Sequence, residues 1–183
     1  MLALGLLFAM SALASSARAE EPTPDRVLGN VDAHFGGGLG SLGFAFHAGV
    51  GAQAWFGDVF GLGGNAGLIE DDAIFGDRSH ATYIEPTVSV RTSGSDAYIF
   101  VTAGAGIASR TIQPRSFCIF DPCSRTPGPS HSDEGADFAL SAGVAFHIGV
   151  FELSPHLRVE SIVGASMVTM NIALGAVVAQ GSD

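Results

Sequence analysis

Apolar and polar residues alternate with a period of two through most of this 183-residue chain. In the run 82–91, Ile84 and Val88 fall on one face of an extended strand, whereas Glu85 and Arg91 fall on the other. Such a strand has an apolar environment on one side and a polar one on the other. The same pattern predicts eight strands: residues 31–39, 43–56, 59–69, 82–91, 97–110, 137–150, 153–163 and 167–179.

The amino terminus has a different pattern. An apolar run from Leu2 to Leu13 is too short to span a bilayer, and the small residues after it end in Ala17-Arg18-Ala19. This arrangement predicts a secretory signal peptide over residues 1–19. The folded domain is therefore expected to lie outside the cytoplasm.

The composition narrows the class of protein. Eighteen Asp and Glu residues stand against eight Arg and no Lys, a formal net charge of −10. A nucleic acid is not an expected partner, because binding to phosphates requires a basic surface. The 25 glycines and 47% hydrophobic residues would be unusual in a soluble globular domain, since glycine weakens helices and adds nothing to a packed core. In a narrow barrel, inward-facing glycines would make room for larger side chains.

The connections between the predicted strands differ in length. Those at 57–58, at 92–96 and around 151–152 are tight, whereas those at 70–81 and 112–136 are long. Short turns at one end and long loops at the other are typical of a transmembrane β-barrel. Its strands must close on themselves, because lipid offers no partner for a free backbone edge. We therefore predict an all-β fold, an eight-stranded antiparallel up-and-down transmembrane β-barrel.

Aromatic residues gather near the tight turns. Phe56 and Phe60 flank the first turn with Trp55 beside them, and Tyr98 and Phe100 follow the second. These positions predict an interfacial aromatic girdle. A soluble β-sandwich is the alternative, but it would leave its outward faces polar, whereas here an apolar face runs through every strand.

On this strand pattern, turn asymmetry and signal peptide, the chain resembles the small eight-stranded outer-membrane barrels of the OmpA, OmpX and OmpW kind over residues 30–179. The resemblance implies a bacterial outer-membrane protein, a monomer without a cofactor. Its expected partners are outer-membrane lipids, including lipopolysaccharide, and an unidentified extracellular molecule bound by the long loops. Residues 20–29 would then form a short periplasmic segment and residues 30–183 the barrel. Pro86 departs from the pattern, because it removes a backbone donor from the fourth strand.

Charged residues and histidines fall on the inward faces of the predicted strands: Asp32, His34, His47, Glu85, Arg91, Arg110, His147, Arg158 and Glu160. Because unpaired charges are costly in a narrow lumen, opposite charges are expected to pair. We predict that Glu85, Arg91, Arg158 and Glu160 form one ion-pair network across the interior.

The expected function follows from that filled interior. Eight strands enclose a space just wide enough for side chains to fill. This favours a non-enzymatic barrel that acts as a membrane scaffold or through its extracellular loops. A narrow, porin-like channel for ions or small solutes is the alternative, since rings of charge can also line a pathway.

Three further motifs lie in the predicted long loops. The stretch His131-Ser132-Asp133-Glu134 has the residue types of a lipid A-modifying enzyme, an activity known in other eight-stranded barrels, but consecutive loop residues rarely hold a nucleophile and a base in hydrogen-bonding geometry. Cys118 and Cys123 are predicted to form a local disulfide in an exported protein, and their spacing is not that of a zinc site. The acidic residues Glu70, Asp71, Asp72 and Asp77 could offer oxygen ligands to calcium, but they lack the alternating carboxylates and central glycine of a calcium loop. No catalytic or metal-binding residue is therefore predicted.

Overall fold

The computed structural model of the chain is a closed barrel of eight antiparallel strands, described for residues 27–41, 43–57, 59–72, 77–94, 96–114 and 128–180. The strands are β1 (Val27–Leu39), β2 (Phe44–Phe56), β3 (Phe60–Asp72), β4 (Arg78–Arg91), β5 (Ala97–Gln113), β6 (His131–Ile148), β7 (Phe151–Ile162) and β8 (Ala165–Gln180). Each strand pairs with its sequence neighbours, and β8 closes the barrel against β1. The predicted fold class is confirmed. The predicted signal peptide and both cysteines lie outside the described residues.

Several strands extend beyond their predicted ends. β4 begins at Arg78 and β6 at His131, so residues predicted to be loop belong to paired strands. The motif 131–134 is therefore not in a loop but in a strand, paired with β5. Alternation is lost there because both faces of a strand outside the membrane meet water. At the other end of the barrel, β1 begins at Val27, inside the segment predicted to precede the barrel.

The two faces of the sheet meet different environments. The outward face carries exposed large apolar side chains on all eight strands, such as Leu39 (73%), Ile107 (70%) and Met170 (66%). The inward face carries buried polar and charged side chains, among them His47, Glu85 and Arg158. This is the inverse of a soluble protein and the arrangement expected of a barrel in lipid.

Proline interrupts the hydrogen-bond ladder at two places. Between β4 and β5, pairing is lost opposite Glu85 and Pro86, as the missing backbone donor of proline predicts. Between β6 and β7 the same happens at Ser154 and Pro155. The register is the same on both sides of each gap, so neither gap is a bulge.

The connections define the two ends of the barrel. Those at 57–59, 92–96 and 149–150, together with the ends of β1 and β8, form what we call the short-turn end. The opposite, long-loop end contains the connections at 73–77 and 114–130, as well as two short ones at 40–43 and 163–164. The two-residue turn at 163–164 has positive φ angles at Val163 (44°) and Gly164 (78°), the geometry of a type I′ hairpin turn. Among the described residues, no helix is long and apolar enough to cross a membrane.

Candidate functional site

The lumen is filled by three layers of side chains. Starting from the long-loop end, we name them the apolar cap, the polar layer and the aromatic layer. The apolar cap consists of Ala45, Ile69, Ala81, Ala108, Ile162 and Met167. The polar layer consists of His34, His47, Tyr83, Glu85, Asp137, Arg158, Glu160 and Asn171. The aromatic layer consists of Asn30, Trp55, Arg91, Tyr98 and Glu152.

Arg158 is the centre of the charged part of the polar layer. Its Nη2 lies 2.8 Å from Glu85 Oε1, and its Nε lies 2.8 Å from Glu160 Oε2. All three residues are at most 2% exposed. Asn65 also donates to Glu85 Oε1, at 3.1 Å. Hydrogen bonds of this kind offset part of the cost of removing the charges from water.

Arg91 lies apart from this ion-pair cluster, contrary to the single network expected from sequence. It follows Glu85 by six positions on β4, about 20 Å at the usual rise of a strand. Its guanidinium carbon instead lies 4.2 Å from the ring centroid of Trp55 and 4.8 Å from that of Tyr98. Of the four predicted network residues, the structure brings together Glu85, Arg158 and Glu160.

Asp137 adds a carboxylate that the predicted network did not include. It is completely buried, and its carboxyl group lies within hydrogen-bonding reach of the Glu85 carboxyl group. It lies within electrostatic range of Glu85, Glu160 and Arg158. The sequence does indicate that Asp137 points into the lumen, because it lies two positions before the inward-facing Ala139 on β6. Three carboxylates thus surround one guanidinium.

Histidines form the other part of the polar layer. The rings of His34 and His47 stack with centroids 5.0 Å apart. Tyr83 Oη lies 3.3 Å from His34 Nε2 and 2.7 Å from His47 Nε2. Asn171 donates to Thr169 through Nδ2 and offers Oδ1 to His47 Nδ1 at 3.0 Å. His47 Nδ1 therefore donates, and its Nε2 accepts the proton of Tyr83.

The histidine arrangement does not favour a metal. Stacked rings direct their nitrogens along parallel planes rather than at one point. Among the described residues, no group of three or more His, Cys, Asp or Glu could hold a metal ion. The hydrogen-bond chain from Asp32 through His34, Tyr83 and His47 to Asn171 instead braces the wall of the barrel.

Glycines make room for these large inward side chains. A Cβ at Gly104 would lie 2.5 Å from Glu85 Oε2, and one at Gly49 would lie 2.5 Å from His34 Nε2. Such distances are shorter than real carbon contacts allow. The abundance of glycine in the sequence therefore has a steric cause at these two positions.

The prediction of an interfacial aromatic girdle is wrong for the residues of the aromatic layer. Trp55 and Tyr98 are 3% and 4% exposed and point into the lumen rather than towards lipid. Phe100 lies on the same inward face and contacts the ring of His156. Tyr98 donates to Glu152 Oε2 at 2.6 Å, while Asn30 donates to Glu152 Oε1 at 2.9 Å. Phe56 and Phe60 do face outward.

The apolar cap was missed at the sequence level. Ile162 and Met167 are 0% and 4% exposed and occupy inward positions where polar residues were expected. Val163 packs against the cap from the turn. Inside a barrel, apolar side chains need no hydrogen-bond partner, and they exclude water by close packing alone.

The motif 131–134 does not have the geometry of a nucleophile and its base. His131 Nε2 contacts Asp133 Oδ1 at 2.8 Å, and both side chains are at least half exposed. Ser132 projects from the opposite face of β6, where its Oγ lies 2.9 Å from Thr111 Oγ1. The alternation of a strand thus separates the serine from the histidine.

Known proteins place the chain in a family. The outer membrane protein beta-barrel domain family matches residues 1–159. No curated protein matches the chain at the sequence level.

Solved structures with a similar fold include small barrels from three bacterial outer membranes. Ail of Yersinia pestis is 11% identical with a TM-score of 0.58, over 84% of this chain and 100% of that one. Neisserial surface protein A is 10% identical with a TM-score of 0.61, over 82% and 96%. The N-terminal barrel of Pseudomonas aeruginosa OprF is 14% identical with a TM-score of 0.51, over 82% and 97%. With its closed barrel, apolar outer face and filled lumen, the chain belongs to the outer membrane protein β-barrel domain family and resides in the bacterial outer membrane.

Proposed function

We propose that this protein is a non-enzymatic barrel whose lumen is closed by its own side chains, and which acts as a membrane scaffold or through its extracellular loops. The observation that carries the proposal is the filling of the lumen at three successive levels. Ile162, Arg158 and Trp55, one from each layer, are 0%, 2% and 3% exposed.

The energetics of the layers argue against ion flow. An ion passing the polar layer would have to separate Arg158 from Glu85 and Glu160. Separation would leave these buried charges without their partners, which is strongly unfavourable. The side chains of the apolar cap carry no ligand for a dehydrated ion, and apolar constrictions exclude ions by dewetting. Asp71, which pairs with Ala45, is the buried carboxylate at this level of the lumen. Both barriers act in series along one lumen.

Conductance of the purified protein in planar bilayers tests this proposal. We expect no discrete current steps from the wild-type protein. Steps whose ion selectivity changes in Arg158→Gln would contradict it and favour a channel through this lumen. Steps that are identical in the wild type and the variant would come from a contaminating pore, so the variant is the internal control.

One feature favours the alternative of a narrow channel for ions or small solutes. A cavity of about 70 Å³ lies between the polar layer and the aromatic layer, with Asp32, Thr87 and Ser154 among its polar lining residues. The cavity covers only one segment of the path, with filled layers on both sides. A conducting state would need both layers to move.

A lipid A-modifying activity is the third candidate. The separation of Ser132 from His131 across the two faces of β6 disfavours it. Lipid A from cells that co-express this protein should keep the mass of lipid A from control cells. A defined loss or gain of one acyl chain would overturn the non-enzymatic assignment.

The long-loop end is the extracellular side on this proposal, because outer-membrane barrels place their longer loops there. Outward-facing Arg78 and His80 pair with Glu70 at this end and are positioned near the headgroups of lipopolysaccharide. Ail has been solved with sucrose octasulfate, a heparin analogue. The net charge of −10 here disfavours such a polyanion. We expect a monomer that is not retained on immobilised heparin at physiological ionic strength, and strong retention would contradict the expectation.

A further inference from the structure

Four polar contacts form a continuous chain through the polar layer. They join Asp32 Oδ1 to His34 Nδ1 (3.1 Å), His34 Nε2 to Tyr83 Oη (3.3 Å), Tyr83 Oη to His47 Nε2 (2.7 Å) and His47 Nδ1 to Asn171 Oδ1 (3.0 Å). The two histidines, the tyrosine and the asparagine are at most 5% exposed. They lie on β1, β2, β4 and β8, so the chain connects four strands through the interior.

The two ends of this chain determine which imidazole nitrogens carry a proton. The carboxylate of Asp32 and the amide oxygen of Asn171 only accept, so Nδ1 of His34 and Nδ1 of His47 must both donate. In a neutral imidazole the second nitrogen then has no proton and can only accept. Both Nε2 atoms would therefore face the single hydroxyl of Tyr83 as acceptors, and this hydroxyl has one proton to give.

With both imidazoles neutral, the chain is one proton short. The shorter contact, at 2.7 Å, takes the proton of the Tyr83 hydroxyl for His47 Nε2. A neutral His34 would then turn a nitrogen lone pair towards an oxygen lone pair at 3.3 Å, inside a buried layer where such a contact is unfavourable. One further proton on His34 Nε2 turns this contact into an N–H···O hydrogen bond, and every contact of the chain then has its own proton.

The partners of the three lumen histidines favour His34 as the position of the extra proton. His34 contacts the carboxylate of Asp32, and a charge-assisted hydrogen bond of this kind stabilises an imidazolium. His47 contacts the neutral amide of Asn171 instead. The ring centroid of His156, on β7, lies 6.4 Å from that of His34, and its Nδ1 donates to a backbone carbonyl.

The other charges of the polar layer are engaged with one another. The guanidinium carbon of Arg158 lies 5.1 Å from the ring centroid of Tyr83 and is the cation nearest to the chain. Its charge is offset by Glu85 and Glu160, each 2.8 Å from one of its nitrogens. Asp137 adds a further carboxyl group beside Glu85. Carboxyl groups thus outnumber guanidinium groups in this layer, and a positive charge on the chain reduces that imbalance.

We propose that the lumen contains a proton-binding site, formed by His34 Nε2 and Tyr83 Oη, and that His34 is a doubly protonated imidazolium paired with Asp32 in the resting barrel. The bound proton completes the hydrogen-bond chain from β1 to β8. Its loss would remove the bond that connects β1 to β4 across the interior. The inference depends on the lumen alone and holds for either a closed barrel or a channel.

Nitrogen NMR of the histidine-labelled wild-type protein in lipid bilayers tests the proposal directly. The chain has six histidines, so the imidazole signals are few, and correlation with the backbone assigns each ring without a variant. At neutral pH we expect a directly bonded proton on both ring nitrogens of His34. His47 should have one on Nδ1 and none on Nε2. A ring nitrogen of His34 without a proton at neutral pH would overturn the proposal.

A matched pair of substitutions provides a second test. Asp32→Asn and Glu152→Gln each replace a lumen carboxylate by its amide, and each carboxylate contacts a different histidine: Asp32 contacts His34 at 3.1 Å, and Glu152 contacts His147 at 3.0 Å. Asp32→Asn should change the His34 signals to those of a neutral ring, because the imidazolium loses its counter-charge. Glu152→Gln should leave them unchanged. An imidazolium that persists in Asp32→Asn, or an equal loss in both variants, would contradict the proposed site.

Discussion

Arg158 donates to both carboxylate oxygens of Glu160, through Nε at 2.8 Å and through Nη2 at 3.0 Å. The two residues are two positions apart on β7, so both side chains point into the lumen. The same guanidinium contacts Glu85 on β4 at 2.8 Å, and it thereby connects two walls of the barrel through its interior.

Removing Arg158 should therefore destabilise the barrel strongly. Arg158→Ala leaves Glu85 and Glu160 buried without their cation and should cost about 3 to 5 kcal/mol. On that background, Glu160→Ala should cost much less than it does alone. Urea unfolding in lipid vesicles, applied as a double-mutant cycle, measures the coupling.

Arg110→Ala is the control for this cycle, because Arg110 is only partly buried and its Nε donates to Ser79. We expect it to cost about 1 kcal/mol. A coupling of less than about 0.5 kcal/mol between Arg158 and Glu160 would mean that the pair does not act as a unit in the membrane.

The lipid-facing surface should respond to charge according to depth. Leu140 lies in the middle of β6 and Ile148 at its short-turn end, and both face outward. Leu140→Arg should cost about 2 to 4 kcal/mol, and Ile148→Arg about 0 to 1 kcal/mol, because only the first charge lies near the bilayer midplane. Equal costs in vesicle unfolding would contradict this placement of the membrane.

Val163 should be replaceable with a gain in stability. A β-branched residue at a φ of 44° is strained, and asparagine is preferred at this position of a type I′ turn. Val163→Asn should therefore stabilise the barrel by about 1 kcal/mol. The same substitution would destabilise the barrel if the packing of Val163 on the apolar cap outweighs the strain, and thermal unfolding decides between the two.

Cys118 and Cys123 are expected to be oxidised to each other in the exported protein. Thiol labelling of the native, unreduced protein should give no adduct, and labelling after reduction should give two per chain. Because the predicted bridge closes a short loop outside the barrel, its reduction should leave the unfolding midpoint nearly unchanged. Stoichiometric labelling before reduction would refute the disulfide.

The sequence by itself determined the strands, their two faces and their closure into a barrel. The alternation of apolar and polar residues reflects the environment of each face of a strand. The segments 82–91 and 137–150 could therefore be predicted as strands, because lipid lies on one side of them and the lumen on the other. It could not place the start of β6 at His131, because beyond the membrane both faces meet water and the periodic signal disappears. The backbone pairing of β6 with β5 nevertheless continues as far as His131.

The tertiary structure alone decided which inward side chains meet. Parity along a strand tells whether Glu85 or Arg91 points inward, but not which residues of other strands stand at the same height. That height depends on the tilt and stagger with which the strands close. For this reason Glu85 contacts Arg158, whereas Arg91 stacks on Trp55. Asp137 lies near Glu85, Glu160 and Arg158, which its position in the sequence did not predict.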